Sequence, residues 1–505
     1  MAIPHENISS PRRERADIVN PNRLQAFSDA VFATAATFLV IPVRKFELLE
    51  GETLKQALIR QYPQLLVFVI GYLVVCAIWE SHIIRFKLIT KVDDVIVSLT
   101  LISLMVTTFL PFSIELEGNF GLFETPIILN CMLLLSLEIL EAIMFFYAFK
   151  SPKLLNRKLR ELEPSDFAVK RKQIYMKLFF NCCLFVTAAL FSMASVVVSW
   201  VLITTVILSG YIRKMMSKLN SMFQCCPQAS STTYDVLSSR ISKERIEAFS
   251  DAAIAIVALL LILDLTTEEF PTEETVEKKG IKKTLHDMWQ LFVAYIGTYV
   301  TVATLWFVHH SVLHHIKVFT AAMVILNNIF LTFLAGSPFI STLVNKFTGT
   351  SSHNEKIAVR VSCIIVFVAS VSNLGLYLSA IYHKNIALHS WAVPSMQWNN
   401  ATRSHAYLLL KTLVIPLTSL ITFLFSLGSE FMTFVVYHIS LVLVPILFIV
   451  LKILYACHCV GERGDDIERS SSFSESYEED IFQGEQTNNA VNSRADSNQE
   501  NGDDN

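Results

Sequence analysis

Two stretches of this chain, Gln61 to Trp79 and Phe431 to Leu451, contain no Asp, Glu, Lys or Arg. Each is about as long as the ~20 apolar residues that carry a helix across a bilayer core. Ten further predominantly apolar segments are of similar length, so the candidate spans are 24–43, 61–80, 95–114, 126–147, 174–194, 196–212, 246–265, 289–309, 321–344, 357–381, 406–427 and 431–452. Composition agrees: 17% of residues are charged, against about 25% in a soluble protein, and the mean hydropathy is +0.48. These features exclude a soluble enzyme on a tethering helix, a nucleic-acid binder and a disulfide-stapled secreted domain. The expected fold class is an all-α polytopic membrane protein of about twelve transmembrane helices.

Charge placement orients the spans. Lys150, Lys153, Arg157, Lys158, Arg160, Lys170, Arg171 and Lys172 fill the connection after the fourth span, and Arg213, Lys214, Lys218, Arg240 and Lys243 that after the sixth. Arg12, Arg13 and Arg15 precede the first, whereas the turn after the third carries Glu115, Glu117 and Glu124 and no base. Basic connections stay cytosolic, and an even number of spans puts both termini on that side. From Cys457 onward, 13 Asp and Glu stand against Arg463, Arg469 and Arg494, a net of −10; with −3 for the whole chain, residues 1–456 carry +7. A segment so acidic and so poor in apolar residues is expected to be disordered. None of the nine cysteines falls in an expected lumenal loop, so no disulfide framework is expected. Cys225, Cys226, Cys457 and Cys459 lie near cytosolic span ends, as free thiols or as palmitoylation sites. The sequons at Asn7 and Asn400 fall on the cytosolic side and should be silent.

Part of the chain occurs twice. Residues 23–43 read RLQAFSDAVFATAATFLVIPV and residues 245–265 read RIEAFSDAAIAIVALLLILDL, identical at 9 of 21 positions. A second echo follows: Trp79-Glu-Ser-His82 closes span two and Trp306-Phe-Val-His309 closes span eight, at offsets of 222 and 227 residues for the two echoes. Six spans separate the copies. Because six is even, the repeats are parallel. The expected organisation is a cytosolic segment 1–22, a first six-helix repeat 23–212, a linker 213–244, a second repeat 245–456 and the acidic tail 457–505.

Each repeat places ionisable residues within the membrane. Asp29 sits six residues past Arg23, about 9 Å deeper, and the returning second span brings Trp79 and His82 to the same depth. Arg23, Asp29 and His82 can therefore meet at one level, and Arg245, Asp251 and His309 can do likewise. Such residues face a partner or a water path, so a packing clamp and an ion path are both open. Beyond the Asp, one face presents Thr34, Thr37 and Ile41 in the first copy and Ile256, Leu259 and Leu263 in the second. An aliphatic stripe of this kind can gate a narrow path by dewetting, or simply pack helices. Flanking alanines (Ala30, Ala33, Ala36; Ala252, Ala255, Ala258) permit close approach.

The doubled R-x-x-x-F-S-D at the head of a span resembles the transmembrane protein 175 family of endolysosomal potassium channels. The likeness covers roughly residues 20–456, including the W-x-x-H ends and the LLILDL run at 260–265, and no T-V-G-Y-G filter is present. The resemblance implies a homodimer in membrane lipid, with four FSD helices around one path for potassium and, when the lumen is acidic, protons. Such a channel helps set lysosomal potential and pH. Arg23, Phe27, Ser28 and Asp29, with Arg245, Phe249, Ser250 and Asp251, match its motif, whose implied role is to hold the pore helix through His82 and His309. The family's constriction has isoleucine five residues beyond the Asp, which Ile256 matches and Thr34 does not. Three residues further, Thr37 fits the family's threonine and Leu259 departs. No cofactor or metal is implied.

Two other classes share parts of this pattern. His310-Ser-Val-Leu-His314-His315 looks like one histidine box of a membrane di-iron enzyme, but His5, His82, His286, His353, His383, His389, His405, His438 and His458 form no second box. A proton-coupled secondary transporter would use intramembrane Asp, Arg and His. Against it stand the parallel repeat and the lack of matching Gly/Pro-broken helices.

Overall fold

The computed structural model describes residues 21–44, 48–121, 123–205, 241–263, 266, 270–347, 352–393 and 400–460. The segment before residue 21, most of the 213–244 linker and the tail beyond residue 460 lie outside the described residues, as do Cys225 and Cys226. Among the described residues the fold is helical throughout. We number the main helices α1 (Pro21–Phe38), α2 (Ile41–Arg44), α3 (Leu54–Leu88), α4 (Asp94–Phe120), α5 (Glu124–Lys150), α6 (Pro164–Ser192), α7 (Val196–Thr205), α8 (Lys243–Leu263), α9 (Trp289–His315), α10 (Ala321–Leu334), α11 (Ser337–Phe347), α12 (Ser352–Tyr382), α13 (Asn400–Phe425) and α14 (Glu430–Val460).

Counting α1–α2 and α10–α11 as single crossings, eleven of these are long and apolar enough to span a membrane. The expected sixth span, 196–212, is seen as α7 as far as Thr205. Their outer faces are apolar: Phe109, Phe112, Phe146, Phe179 and Leu190 are all exposed, as a lipid-facing surface requires. Helix starts are set by side-chain caps. Thr53 forms a capping box with Gln56, Asp93 accepts from the Ile96 amide at 3.0 Å, and Thr320 accepts from the Met323 amide, each satisfying a backbone donor that the first turn leaves open.

The described residues up to Val444 form one compact unit. At its centre α1 packs against α8, α3 and α4, and α10 against α3, α8 and α12. Gly71 lets α3 close on its neighbours, since a Cβ there would lie 2.9 Å from Ile114 Cγ2 and 3.3 Å from Leu39 Cδ1. The second unit begins at Pro445; its described part is the end of α14, with Ile449, Ile453 and Leu454 exposed.

The duplication extends into the connections. After α3, Ile89 bridges Leu155 antiparallel, with Thr90 N donating to Leu154 O at 3.0 Å and Asn156 N to Leu88 O at 2.8 Å. After α9, Ile316 bridges Leu388 in the same way, with Lys317 N donating to Ala387 O at 2.7 Å and His389 N to His315 O at 3.2 Å. One difference has a local cause. α4 runs through Pro111, whereas its counterpart breaks between α10 and α11, at Ala335–Gly336, just before Pro338. Two residues before the proline stands Phe109 in α4 but Gly336 at the break, where glycine adds backbone freedom and the proline lacks a backbone donor.

Candidate functional site: the paired FSD helices

α1 and α8 begin at the same end of the bundle and lie side by side. In α1, Ser28 Oγ donates back to the Leu24 carbonyl at 2.8 Å, which spends its hydroxyl inside the helix. Asp29, 1% exposed, accepts at Oδ1 from Trp79 Nε1 at 2.8 Å and from Arg245 Nη2 at 2.6 Å. The same Arg245 nitrogen also donates to the Gln25 carbonyl at 3.0 Å. Beneath this pair the Trp79 indole stacks on Phe249, centroids 4.1 Å apart. Asp29 is thus closed by α3 and by the head of α8. Breaking a buried pair of this kind costs about 3–5 kcal/mol, because the remaining charge is left in a water-poor site.

The arginine that reaches Asp29 comes from the other repeat. Arg23, expected beside Asp29, is exposed. His82, also expected there, is buried, sets Nδ1 against the Arg85 guanidinium and packs between Phe32 and Phe86. The second repeat is open by comparison. Asp251 accepts from Trp306 Nε1 at 2.9 Å, yet both residues are exposed, as is Phe27. His309 is paired instead with Asn373, Nδ1 to Oδ1 at 3.0 Å, and stacks on Phe330.

Three polar residues that the sequence reading did not single out bind these helices together. Asn327 Nδ2 donates to Ser250 Oγ at 3.3 Å, and Asn328 Nδ2 to Glu80 Oε1 at 3.0 Å, so α10 ties α8 to α3. Asn373 serves His309 from α12. The signal for the first two was present, a consecutive Asn-Asn in the apolar run 321–344, while Asn373 has no distinguishing context in the sequence.

Along the stripe, Thr34, Ile41, Ile256 and Leu263 are half-buried and Leu259 is 67% exposed. Thr37 differs: it is wholly buried and its hydroxyl donates to Ala33 O at 2.9 Å. The helix turns it inward, towards the chain's own core, so it does not lie on the exposed face with the others. His310 stacks on Trp306, and His314 and His315 pack against Trp391.

Two parallel repeats, each opened by a helix with a Ser-Asp motif and only the first of them closed at a helix junction, define a duplicated multi-pass membrane protein built on paired FSD helices. The sequence model described as "Endosomal/lysosomal potassium channel TMEM175" matches residues 23–111 and 245–338, one segment in each repeat. The chain is 31% identical over 458 residues to the zebrafish (Danio rerio) endosomal/lysosomal proton channel TMEM175, covering 88% of this chain and 86% of that one. A potassium channel of Chamaesiphon minutus is 31% identical over 100 residues, 19% of this chain and 49% of that protein. The crystal structure of a lysosomal potassium-selective TMEM175 homologue from the same organism superimposes with a TM-score of 0.34 and 19% identity, over 41% of this chain and 97% of that one. The chain belongs to the endosomal/lysosomal TMEM175 channel family.

Proposed function

We propose that this chain is a potassium-permeable cation channel of endosome and lysosome membranes that also passes protons when the lumen is acidic. Both termini face the cytosol, since the basic connections lie on that side, and the working unit is a homodimer. One observation carries this. A seam between FSD helices needs an acceptor half, Asp with its Trp, and a donor half, Arg with its Phe. Within the chain one seam is closed, Asp29 and Trp79 against Arg245 and Phe249. That leaves one acceptor half, Asp251 with Trp306, and one donor half, Arg23 with Phe27, all exposed. A second copy related by a two-fold axis closes both remaining seams at once and rings four FSD helices about a central path.

Thr34, Ile41, Ile256, Leu259 and Leu263 then line or flank the constriction, with Thr37 packed behind it. The clamp residues hold these helices and do not conduct. Two Thr34 and two Ile256 make a less apolar ring than four isoleucines, so dewetting closes it less tightly.

Patch-clamp of enlarged endolysosomes, with potassium and sodium exchanged across the membrane at neutral and acidic lumenal pH, tests the assignment. A current reversing near the potassium potential is expected. Slow, saturable flux coupled to the proton gradient would instead place the chain among secondary transporters, which also use intramembrane Asp, Arg and His.

A further inference from the structure

At the end of the helix pair away from the motif lies a second arginine contact between the repeats. Arg44 is 1% exposed and its Nη1 donates to the Leu260 carbonyl at 3.2 Å. Leu260 lies in the last described turn of α8. A guanidinium suits this position, because it stays charged and its hydrogen bonds strengthen where water is scarce. Arg44 itself is held in place. It ends α2, and Gln61 of α3 donates from Nε2 to the neighbouring Val43 carbonyl at 3.0 Å. The two arginines therefore reach in opposite directions: Arg245 from the second repeat to α1 at the motif end, Arg44 from the first repeat to α8 at the far end.

The second repeat has no equivalent of Arg44. At the 222-residue offset stands Thr266, whose hydroxyl returns to the Ile262 carbonyl at 3.1 Å, one turn back. The far end of the seam inside the chain is thus stapled, while the corresponding seam between two copies has no arginine to offer.

We propose that Arg44 is a positioning residue of the pore, fixing α1–α2 and α8 as one rigid pair. The path then widens between two such pairs and not among four independent helices. This rests on the dimeric channel proposed above. Ile41 lies three residues before Arg44 and Leu263 three residues after Leu260, so the staple sets the relative level of two constriction side chains from opposite repeats.

Recording wild type, Arg44→Met, Arg44→Gln and Arg44→Lys in enlarged endolysosomes tests this. Methionine keeps the length without a donor, glutamine falls short of Leu260, and lysine restores a charged donor. In the Met and Gln variants the basal current at neutral lumenal pH is expected to change about tenfold, the scale of one lost charged hydrogen bond. Their preference for potassium over sodium is expected to fall, with the Lys variant within about twofold of wild type on the same scale. Wild-type current and selectivity in both the Met and Gln variants overturn the proposal. Loss of all three variants from the membrane, Lys included, also overturns it, because Arg44 would then hold the fold and not set the pore. A wild-type chain present in the membrane without current overturns the channel assignment itself, a result distinct from either.

Discussion

The two copies of R-x-x-x-F-S-D share their letters but not their surroundings. Asp29 is enclosed by Trp79, Arg245 and the Trp79–Phe249 stack, whereas Asp251 has Trp306 and is otherwise open. Their serines differ as well: Ser28 returns its hydroxyl to its own helix, while Ser250 exchanges hydrogen bonds with Asn327. The contrast shows that the motif is not a self-contained unit. It is two half-sites on opposite sides of one helix, Arg and Phe facing one neighbour and Asp the other. A chain with two motifs can close one seam by itself and must leave one half of each kind over.

The largest effect is expected where the closed seam is broken. Asp29→Asn or Arg245→Met leaves a buried charge without its partner, a loss of about 3–5 kcal/mol. The folded monodisperse fraction on size exclusion should collapse, and the charge exchange Asp29→Arg with Arg245→Asp should restore part of it. Normal folding of both single variants would mean that the pair is not what holds α1 to α8.

The open seam should respond differently. Asp251→Arg or Arg23→Asp leaves the enclosed half of the chain intact, so the protein is expected to fold but to run as a monomer by light scattering. Combining the two substitutions in one chain restores opposite charges across every two-fold seam and should bring the dimer back. A monomeric wild type, or a dimer untouched by either reversal, would remove these half-sites from the assembly.

The amino-acid sequence carried the spans, the repeat and the depth of each ionisable residue, because hydropathy and spacing record how far a residue lies along a helix. It did not carry azimuth. Arg23, Asp29 and His82 are expected to meet, yet Arg23 is exposed and His82 turns to Arg85, while the arginine that arrives comes from 216 residues away. Which of two level-matched arginines meets a carboxylate depends on how α1 and α8 are rotated against each other, and no period within either helix encodes that. Azimuth matters along the stripe too: Thr37 lies about 60° around the helix from Thr34, and it is buried where Thr34 is half-buried. Asn327 and Asn328 were legible as polar residues in an apolar run, but not their partners.

A smaller difference between the repeats lies in how closely their second spans pack. Gly71 in α3 corresponds, at the 227-residue offset, to Thr298 in α9, whose hydroxyl is satisfied within its own helix by the Ala294 carbonyl at 2.9 Å. The first repeat therefore packs where a side chain would not fit. Gly71→Ala should overpack Ile114 and Leu39 at a cost of about 1–3 kcal/mol, read as a lower melting temperature in detergent, while Thr298→Ala, which creates no clash, should cost less. Equal shifts would mean that Ile114 simply moves aside.

The finest comparison is between two ion pairs outside the apolar spans or at their edge. Glu52 and Arg60 are 3.0 Å apart, and Lys279 and Asp287 are 2.9 Å apart. At the 227-residue offset Glu52 corresponds to Lys279 and Arg60 to Asp287, so the repeats hold the same pair with its signs exchanged. Hydrogen bonding to Arg60 holds the Glu52 carboxyl below its ordinary range, and hydrogen bonding to Lys279 does the same for Asp287. For carboxyls depressed on folding, the stabilising contribution is complete above the unfolded value and is lost only as pH falls through the lower folded value. Both pairs should therefore survive in an acidified lumen, the side on which these loops are expected. Glu52→Gln and Asp287→Asn should each lower the melting temperature slightly, as exposed pairs contribute little, and by equal amounts at about pH 7 and about pH 5. A deficit that shrinks at the lower pH would mean that the wild-type carboxyl is titrating within that interval, which a carboxyl held by its pair does not do. A deficit confined to one repeat would show that exchanging the signs did not preserve the pair.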